Sequence, residues 1–245
     1  MTTLLATAAA AGQIDTGDTA WMLVSTALVL MMTPALGLFY AGLVRSKNTL
    51  NTFMMSIGAL GVVTVAWVLV GYSLAFDGHG SIVGGLHHIF LRGLGPGALP
   101  GLTIPSLLFV VFEASFCIIT AALISGAVVE RMRFGPFLVF MTVWSVVVYA
   151  PLAHQVWGGG FLAHHGVLDW AGGVPVEMAS GFSAFAAALV VGARKDYGRQ
   201  ALLPHNGVYA LLGAGLLWFG WFGFNGGSAL ASGRGAALSF ANTLF

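Results

Sequence analysis

The feature that most constrains this chain is a series of long apolar segments separated by short polar connections. Six of them lie at about residues 19–44, 51–76, 105–129, 134–150, 175–193 and 207–224. A membrane-spanning helix needs roughly 20 predominantly apolar residues. A seventh segment begins near Ala236 and reaches residue 245, which is enough for about half of a bilayer crossing. The sequence therefore predicts an all-α polytopic membrane protein with about six and a half helices.

The composition excludes a soluble domain. Of the 245 residues, 58% are hydrophobic and 7% are charged, whereas soluble domains carry about 25% charged residues. The formal net charge of +1 provides no basic surface for nucleic acid. We therefore expect membrane lipid as a partner and no nucleic acid.

The charges in the connections predict the orientation in the cell membrane. Seven basic residues follow the first, third and fifth helices: Arg45, Lys47, Arg131, Arg133, Arg194, Lys195 and Arg199. The other connections contain only Arg92 and Arg234. Because basic connections stay in the cytoplasm, residues 1–18 are expected to form an outer N-terminal segment, and residues 19–245 the multi-pass membrane domain.

No motif indicates an enzyme. The sequence has no phosphate-binding loop and no recognisable nucleophile–base pair. Histidines are concentrated in two outer connections: His79, His87, His88, His154, His164 and His165. Their spacing does not fit a metal site. We interpret them as solvated loop residues and predict no catalytic residue, bound metal or cofactor.

Two acidic residues lie at the start of the fifth helix. Asp169 precedes the helix, where a carboxylate complements the helix dipole and accepts free backbone N–H groups. Glu177 shares a helical face with Gly181 and Ala184. Because a charge facing lipid is costly and small residues mark helix packing, we expect Glu177 to face protein or a pore. The alternative is an acid that snorkels to the membrane surface.

Aromatic residues recur at helical spacing on the third helix. Phe112 and Phe116 are four residues apart and share a face, and Glu113 lies between them in sequence. Glu113 is either a pore acid or a buried acid with its own hydrogen-bond partners, and the sequence does not separate these alternatives.

Aromatic residues also mark the sixth helix and an outer connection. Trp221, Phe224 and Ser228 have the spacing of one helical face, and Trp157 opens a glycine-rich run. Such residues are most often packing or interface anchors. Their aromatic faces can also attract a small cation, with a hydroxyl and a nearby carboxylate completing the site.

Several stretches resemble the ammonium transporter family (Amt/Mep/Rh), on its Amt/Mep side. The most specific is Asp169, an aromatic residue and 171–173 (AGG), followed by Ser180-Gly181 and by Gly192 two residues before Arg194. Residues 218–228 (WFGWFGFNGGS), 39–45 (FYAGLVR) and Glu130-Arg131 also match the family's helix ends. Each stretch alone is weak, but together they cover nearly the whole chain.

The resemblance implies a fold and an assembly. The family has eleven helices, built as two inverted five-helix halves with the pore between them, a general transporter arrangement. This chain corresponds to the first half and a little more. The family forms homotrimers with one pore per subunit. It is also regulated by PII-type proteins, but their main docking elements include a cytoplasmic tail, so the resemblance supports no such partner here.

The resemblance also implies roles for individual residues. Trp157, Phe116 and Ser228 would bind ammonium, or its analogue methylammonium, at an outer site, and Phe116 and Phe224 would form the gate below it. Asp169 would support that site electrostatically without direct contact. Ammonium would lose a proton on entry, and ammonia would pass a hydrophobic pore lined by Trp221 and by the residue at position 177.

The chain departs from the family pattern at two places. Glu177 occupies the position of the first pore histidine, as in some fungal Mep proteins. Because carboxylic acids titrate near pH 4.3 and imidazole near pH 6.5, we expect a changed pH dependence and looser exclusion of potassium. The second pore histidine and most of the second half are absent. A non-transporting ammonium sensor module, or an inactive truncated remnant, is therefore the alternative function.

Overall fold

The computed structural model describes residues 12–78 and 80–245. The predicted outer segment is thus described only from Gly12 onward, and His79 lies outside the described residues. Within the described part, every extended regular element is a helix. Six of these helices are long and apolar enough to cross a membrane, which confirms the fold class and the number of complete spans.

The six spans are α1 (Thr16–Leu43), α2 (Ser46–Phe76), α3 (Ser106–Val128), α4 (Phe134–His164), α5 (Gly173–Val191) and α6 (Gly207–Gly227). A shorter helix, α7 (Arg234–Leu244), follows. Three spans contain a π-helical turn, at Trp67–Gly71 in α2, Ser145–Tyr149 in α4 and Gly173–Met178 in α5. Most of the predicted helix ends lie within a few residues of the observed ones, because the length of each apolar segment determines where a membrane helix begins and ends.

The fourth helix is longer than the apolar pattern predicts. We expected it to end near Ala150 and to be followed by a long loop, but it continues as Ala150–Val156 and has a further turn at Phe161–His164. Pro151 lies in the first turn after the π-helical turn. A change in hydrogen-bond register there tolerates a residue that has no N–H.

The interpretation of all the histidines as solvated loop residues is therefore wrong for His154. Its side chain is completely buried on α4. One ring nitrogen lies 3.1 Å from the carbonyl oxygen of Ala75, and the other lies 2.6 Å from that of Gly80. His154 thus ties α4 to the end of α2 and to the connection after it. By contrast, His164 and His165 are exposed.

The helices pack around α3, which is the most enclosed span. α1 makes its most extensive contact with α6 and also packs on α2 and α3. Glycines allow the α1–α6 approach. A Cβ atom on Gly213 would lie 2.7 Å from the Cα of Phe39 and 2.8 Å from the carbonyl oxygen of Ala35. Small residues bring membrane helices close together in this way.

Ion pairs join three connections at one end of the bundle. Arg45 lies 2.9 Å from a carboxylate oxygen of Glu130 and 2.6 Å from one of Asp196. Arg194 approaches Glu130 at 3.7 Å. We call these four residues the Arg45 cluster. It holds together the chain segments that follow α1, α3 and α5.

Candidate functional site

A cavity of about 320 Å³ lies at the end of the bundle opposite the Arg45 cluster. Seven aromatic side chains line it: Tyr72, Phe76, Phe109, Phe112, Phe116, Trp157 and Trp170. Besides the Tyr72 hydroxyl, the polar side chains that line it include Asp77, His88, Glu113 and Ser228. We call this space the aromatic cavity. Its wall combines π faces with a few polar groups, which is a suitable environment for a small cation.

Phe116 is the central ring of this region. It is buried on α3, and its ring lies 4.2 Å from that of Phe224 and 6.1 Å edge-on from that of Trp157, between ring centres. Phe112 contacts it one turn earlier, at 4.9 Å. Three predicted site residues from α3, α4 and α6 thus form one aromatic group.

Trp157 and Ser228 place polar groups beside these rings. The Trp157 indole N–H donates to the carbonyl oxygen of Asp169 at 3.1 Å. The Ser228 hydroxyl, just after α6, donates to the carbonyl oxygen of Phe224 at 2.8 Å. Because a hydroxyl has two acceptor lone pairs, Ser228 keeps its oxygen available to accept a hydrogen bond inside the aromatic cavity.

Asp169 does not line the aromatic cavity. Its carboxylate accepts hydrogen bonds from the backbone N–H groups of Gly172, Gly173 and Val174, at 2.7, 3.0 and 2.7 Å. This geometry satisfies the free N–H groups at the start of α5. Gly172 adopts a left-handed conformation, with φ of +115°, which glycine tolerates best. Asp169 therefore positions the chain that accepts the Trp157 N–H.

A second space of about 450 Å³ lies beyond Phe224. Its wall includes the side chains of Asp169, Trp170, Glu177, Trp221, Phe224, Asn225 and Asn242. We call it the Glu177 recess. The Trp221 and Phe224 rings lie 5.4 Å apart. Phe116 lines the aromatic cavity and Phe224 lines the recess, so the contact between their rings lies between the two spaces.

Glu177 is exposed in this chain, as are Gly181 and much of α5. Its carboxyl group lies on the recess wall, near Trp221 and Asn242. Part of the recess is thus open along α5.

The sequence alone did not predict three contributors to this region. Trp170 lines both spaces and donates its indole N–H to the carbonyl oxygen of Asn225 at 2.9 Å. His88 and Tyr72 line the aromatic cavity, with their rings 6.1 Å apart. The position of Trp170 directly after Asp169 in the signature stretch could have indicated that it lies at the site. Nothing in the sequence indicates this for His88, because it lies in a connection whose path the apolar pattern does not determine.

The described residues contain no group of three or more His, Cys, Asp or Glu side chains that could hold a metal ion. His87 instead contacts Asp77, with Nδ1 2.7 Å from a carboxylate oxygen. The histidines near the cavity therefore serve in hydrogen bonds and ring contacts where the structure describes them.

Comparison with known proteins gives a consistent result. A model of the Ammonium Transporter Family matches residues 20–245. The ammonium transporter of Bacillus subtilis is 49% identical over 229 residues, which cover 93% of this chain and 56% of the relative. That of Aquifex aeolicus is 48% identical over 238 residues, with 96% and 55% covered.

Solved structures agree. The structure of Candida albicans Mep2 superposes with a TM-score of 0.85 at 36% identity, covering 94% of this chain and 52% of that one. A structure described as a sensor Amt protein has a TM-score of 0.85 at 27% identity, covering 92% and 58%. This chain spans about half the length of the relatives it matches.

Proposed function

This chain belongs to the Ammonium Transporter Family, and we propose that it supplies the ammonium-binding entrance and one wall of the pore of an ammonium transporter in the cell membrane. One observation carries the proposal. The aromatic cavity, with Phe116, Trp157 and Ser228 on its wall, is separated from the Glu177 recess by the contact between Phe116 and Phe224.

The chemistry of the aromatic cavity suits ammonium. An ammonium ion is a small cation with four N–H donors and no acceptor. The faces of Phe116 and Trp157 attract a cation electrostatically, with about 0.5–2 kcal/mol for each favourable contact. The Ser228 oxygen accepts one N–H. Asp169 contributes a negative charge at longer range, since its oxygens are occupied by backbone N–H groups.

The Phe116–Phe224 pair acts as a gate in this proposal. With ring centres 4.2 Å apart, the rings leave no space for a hydrated ion, so passage requires them to move. A charged ion without water is very costly in an apolar pore. Ammonium therefore transfers a proton near the gate to the ionised carboxylate of Glu177 in the recess, and ammonia continues past Trp221.

Alanine substitutions test the binding site. The test uses a membrane-inserted form of the protein that transports methylammonium. Each of the substitutions Phe116→Ala, Trp157→Ala and Ser228→Ala should raise the half-saturation concentration for methylammonium. The increase should be about three- to thirtyfold for the two aromatic residues. Radiolabelled methylammonium uptake measures this. Matched controls are Phe137→Ala and Ser145→Ala, which truncate a buried ring and a buried hydroxyl elsewhere. Unchanged affinity in all three site variants would remove the assignment.

Two further parts of the proposal rest on the family resemblance and the charge distribution. We expect a homotrimer, which native mass spectrometry of the purified protein would test. We also expect the N-terminus outside the cell, because basic residues are concentrated in the connections that contain the Arg45 cluster. A reporter fused to the N-terminus and found in the cytoplasm would contradict this orientation.

A sensor is the second candidate function, because the sensor Amt structure shares the fold with this chain. Reconstituted protein separates the two candidates. Methylammonium binding without flux into proteoliposomes would favour the sensor, whereas flux that saturates with methylammonium concentration would favour transport.

A further inference from the structure

The aromatic cavity contains a buried acid to which the proposed mechanism gives no role. Glu113 lies on α3 between Phe112 and Phe116, and its side chain lines the cavity. The residue is only 7% exposed. We infer that Glu113 provides the negative charge that the bound ammonium-type cation faces inside the aromatic cavity. This inference rests on the proposed function of that cavity.

The other acids that are at least partly buried have side-chain partners, which makes Glu113 unusual among the described residues. Asp169 is satisfied by three backbone N–H groups, Glu130 is paired with Arg45, and Asp77 contacts His87. Asp18 accepts hydrogen bonds from Ser232 and Thr103. Glu113 makes no hydrogen bond or ion pair with any residue that the structure describes.

An ionised carboxyl group in this position is stabilised by a partner of opposite charge. An unpaired charge that is removed from water is costly, and ionisable residues inside membrane helices usually mark a binding site or pathway. Glu113 is nine-tenths buried, yet it lies on the wall of a space large enough for a small ion. The partner is therefore expected to come from that space rather than from the protein.

The surroundings favour a cation over an anion. Apart from Ser228, the polar groups that line the cavity with Glu113 are Tyr72 from α2, and Asp77 and His88 from the connection that follows α2. Neither Lys nor Arg lines the cavity among the described residues. Glu113 is largely buried, so its charge is screened less than a charge on the surface. A carboxylate, a hydroxyl and aromatic faces together match a small cation that carries N–H donors.

Isosteric substitution tests the inference. Glu113→Gln keeps the size of the side chain and one acceptor oxygen, but it replaces the other oxygen with an NH2 donor and removes the negative charge. The apparent affinity for methylammonium should fall about tenfold or more, the size of effect expected for losing an opposite charge at close range. Radiolabelled methylammonium uptake by the membrane-inserted protein, with unlabelled ammonium as competitor, gives the half-saturation and half-inhibition concentrations.

Two further variants make the test decisive. Glu113→Asp retains the charge and should keep affinity within about threefold of the parent. Asp15→Asn makes the same acid-to-amide change at the cap of α1, where asparagine is also a good N-cap residue, and should leave affinity unchanged.

The results distinguish a role of the Glu113 charge in cation binding from a role of its side chain in packing. A loss with Glu113→Gln that Glu113→Asp does not share supports the inference. Equal losses in both variants would identify a packing role and overturn it, as would parent-like affinity in Glu113→Gln. If the parent protein neither binds nor transports methylammonium, the proposed function itself fails, independently of Glu113.

Discussion

Asp169 and Glu113 are two acids near the aromatic cavity whose side chains have different surroundings. Asp169 uses both carboxylate oxygens on the backbone of α5, and its own carbonyl oxygen accepts the Trp157 N–H. In the proposed function, its contribution to cation binding is therefore indirect, through its charge and through the position of Trp157. Glu113 has no such partners among the described residues and directly lines the cavity. Side-chain bonding, not the residue type, separates the two acids.

Glu177→His tests the position where the chain departs from the family pattern. A proton acceptor at this position must be deprotonated to work. Because an imidazole and a carboxylic acid have different ordinary pKa values, and burial shifts these values in opposite directions, the pH dependence of uptake should differ between the variant and the parent. Potassium should also inhibit uptake less. Methylammonium uptake across a pH series, with and without potassium, measures both effects.

The control for this substitution is Glu177→Gln, which cannot titrate. Its methylammonium uptake should lack the decrease at acidic pH that the parent and the histidine variant each show. If the parent and Glu177→His have the same pH profile and the same response to potassium, Glu177 has no part in proton transfer.

At the scale of secondary-structure elements, the packing of α6 against α1 depends on glycine residues. Gly213, Gly220 and Gly223 all approach the backbone of α1 closely. At Gly213 the nearest atoms are backbone atoms of Phe39 and Ala35. Backbone cannot rotate away as a side chain can, so this contact fixes the separation of the two helices. α6 also carries Phe224 near its end and is followed by Ser228, so its position affects the aromatic cavity.

Gly213→Ala should therefore destabilise the protein by about 1–3 kcal/mol or more, the usual cost of overpacking. Thermal unfolding in detergent, followed by circular dichroism or size-exclusion chromatography, measures the loss. Gly215→Ala is the matched control, since no atom lies within 4 Å of the position of its Cβ. That change should be neutral or stabilising, because alanine favours a helix by about 1 kcal/mol over glycine. Equal melting temperatures for the two variants would contradict the close-packing argument.

At the scale of the whole molecule, the Arg45 cluster links the ends of three spans. Burial alone would raise the pKa of Glu130, but hydrogen bonds from the Arg45 side chain and backbone lower it below its ordinary value. A lowered pKa in the folded state means that the ionised carboxylate stabilises the fold. This contribution is complete above the unfolded pKa of about 4.5 and is lost as the pH falls through the folded value.

Glu130→Gln should remove this stabilisation. We expect a loss of about 1.5–3 kcal/mol near neutral pH, the range for a hydrogen bond to a charged group, and a weaker fall in stability as the pH drops below about 4.5. Thermal unfolding in detergent at several pH values tests both. Asp196→Asn is the comparison, because its carboxylate is more exposed and should contribute less. A glutamine variant with the parent's stability and pH profile would rule out this role.

Most of the fold could be predicted from the sequence, and the exceptions have identifiable causes. Apolar length gave six spans, but it could not place the end of α4, because the helix continues through polar residues and Pro151. His154 was misinterpreted for the same reason. For the site, the family resemblance selected Phe116, Trp157 and Ser228, which the structure brings to one cavity. The roles of these residues stay predictions until binding is measured.

The sequence by itself determined that the chain crosses a membrane, how many complete helices it contains and to which family it is similar. These properties follow from local hydrophobicity and from contiguous motifs, which the order of residues contains directly. Tertiary structure decided that Glu113 lines a cavity, that the Asp169 oxygens are occupied and that Gly213 sets the spacing of α1 and α6. Each of these depends on groups brought together from distant helices, and linear spacing does not specify such distances or the access of each group to solvent.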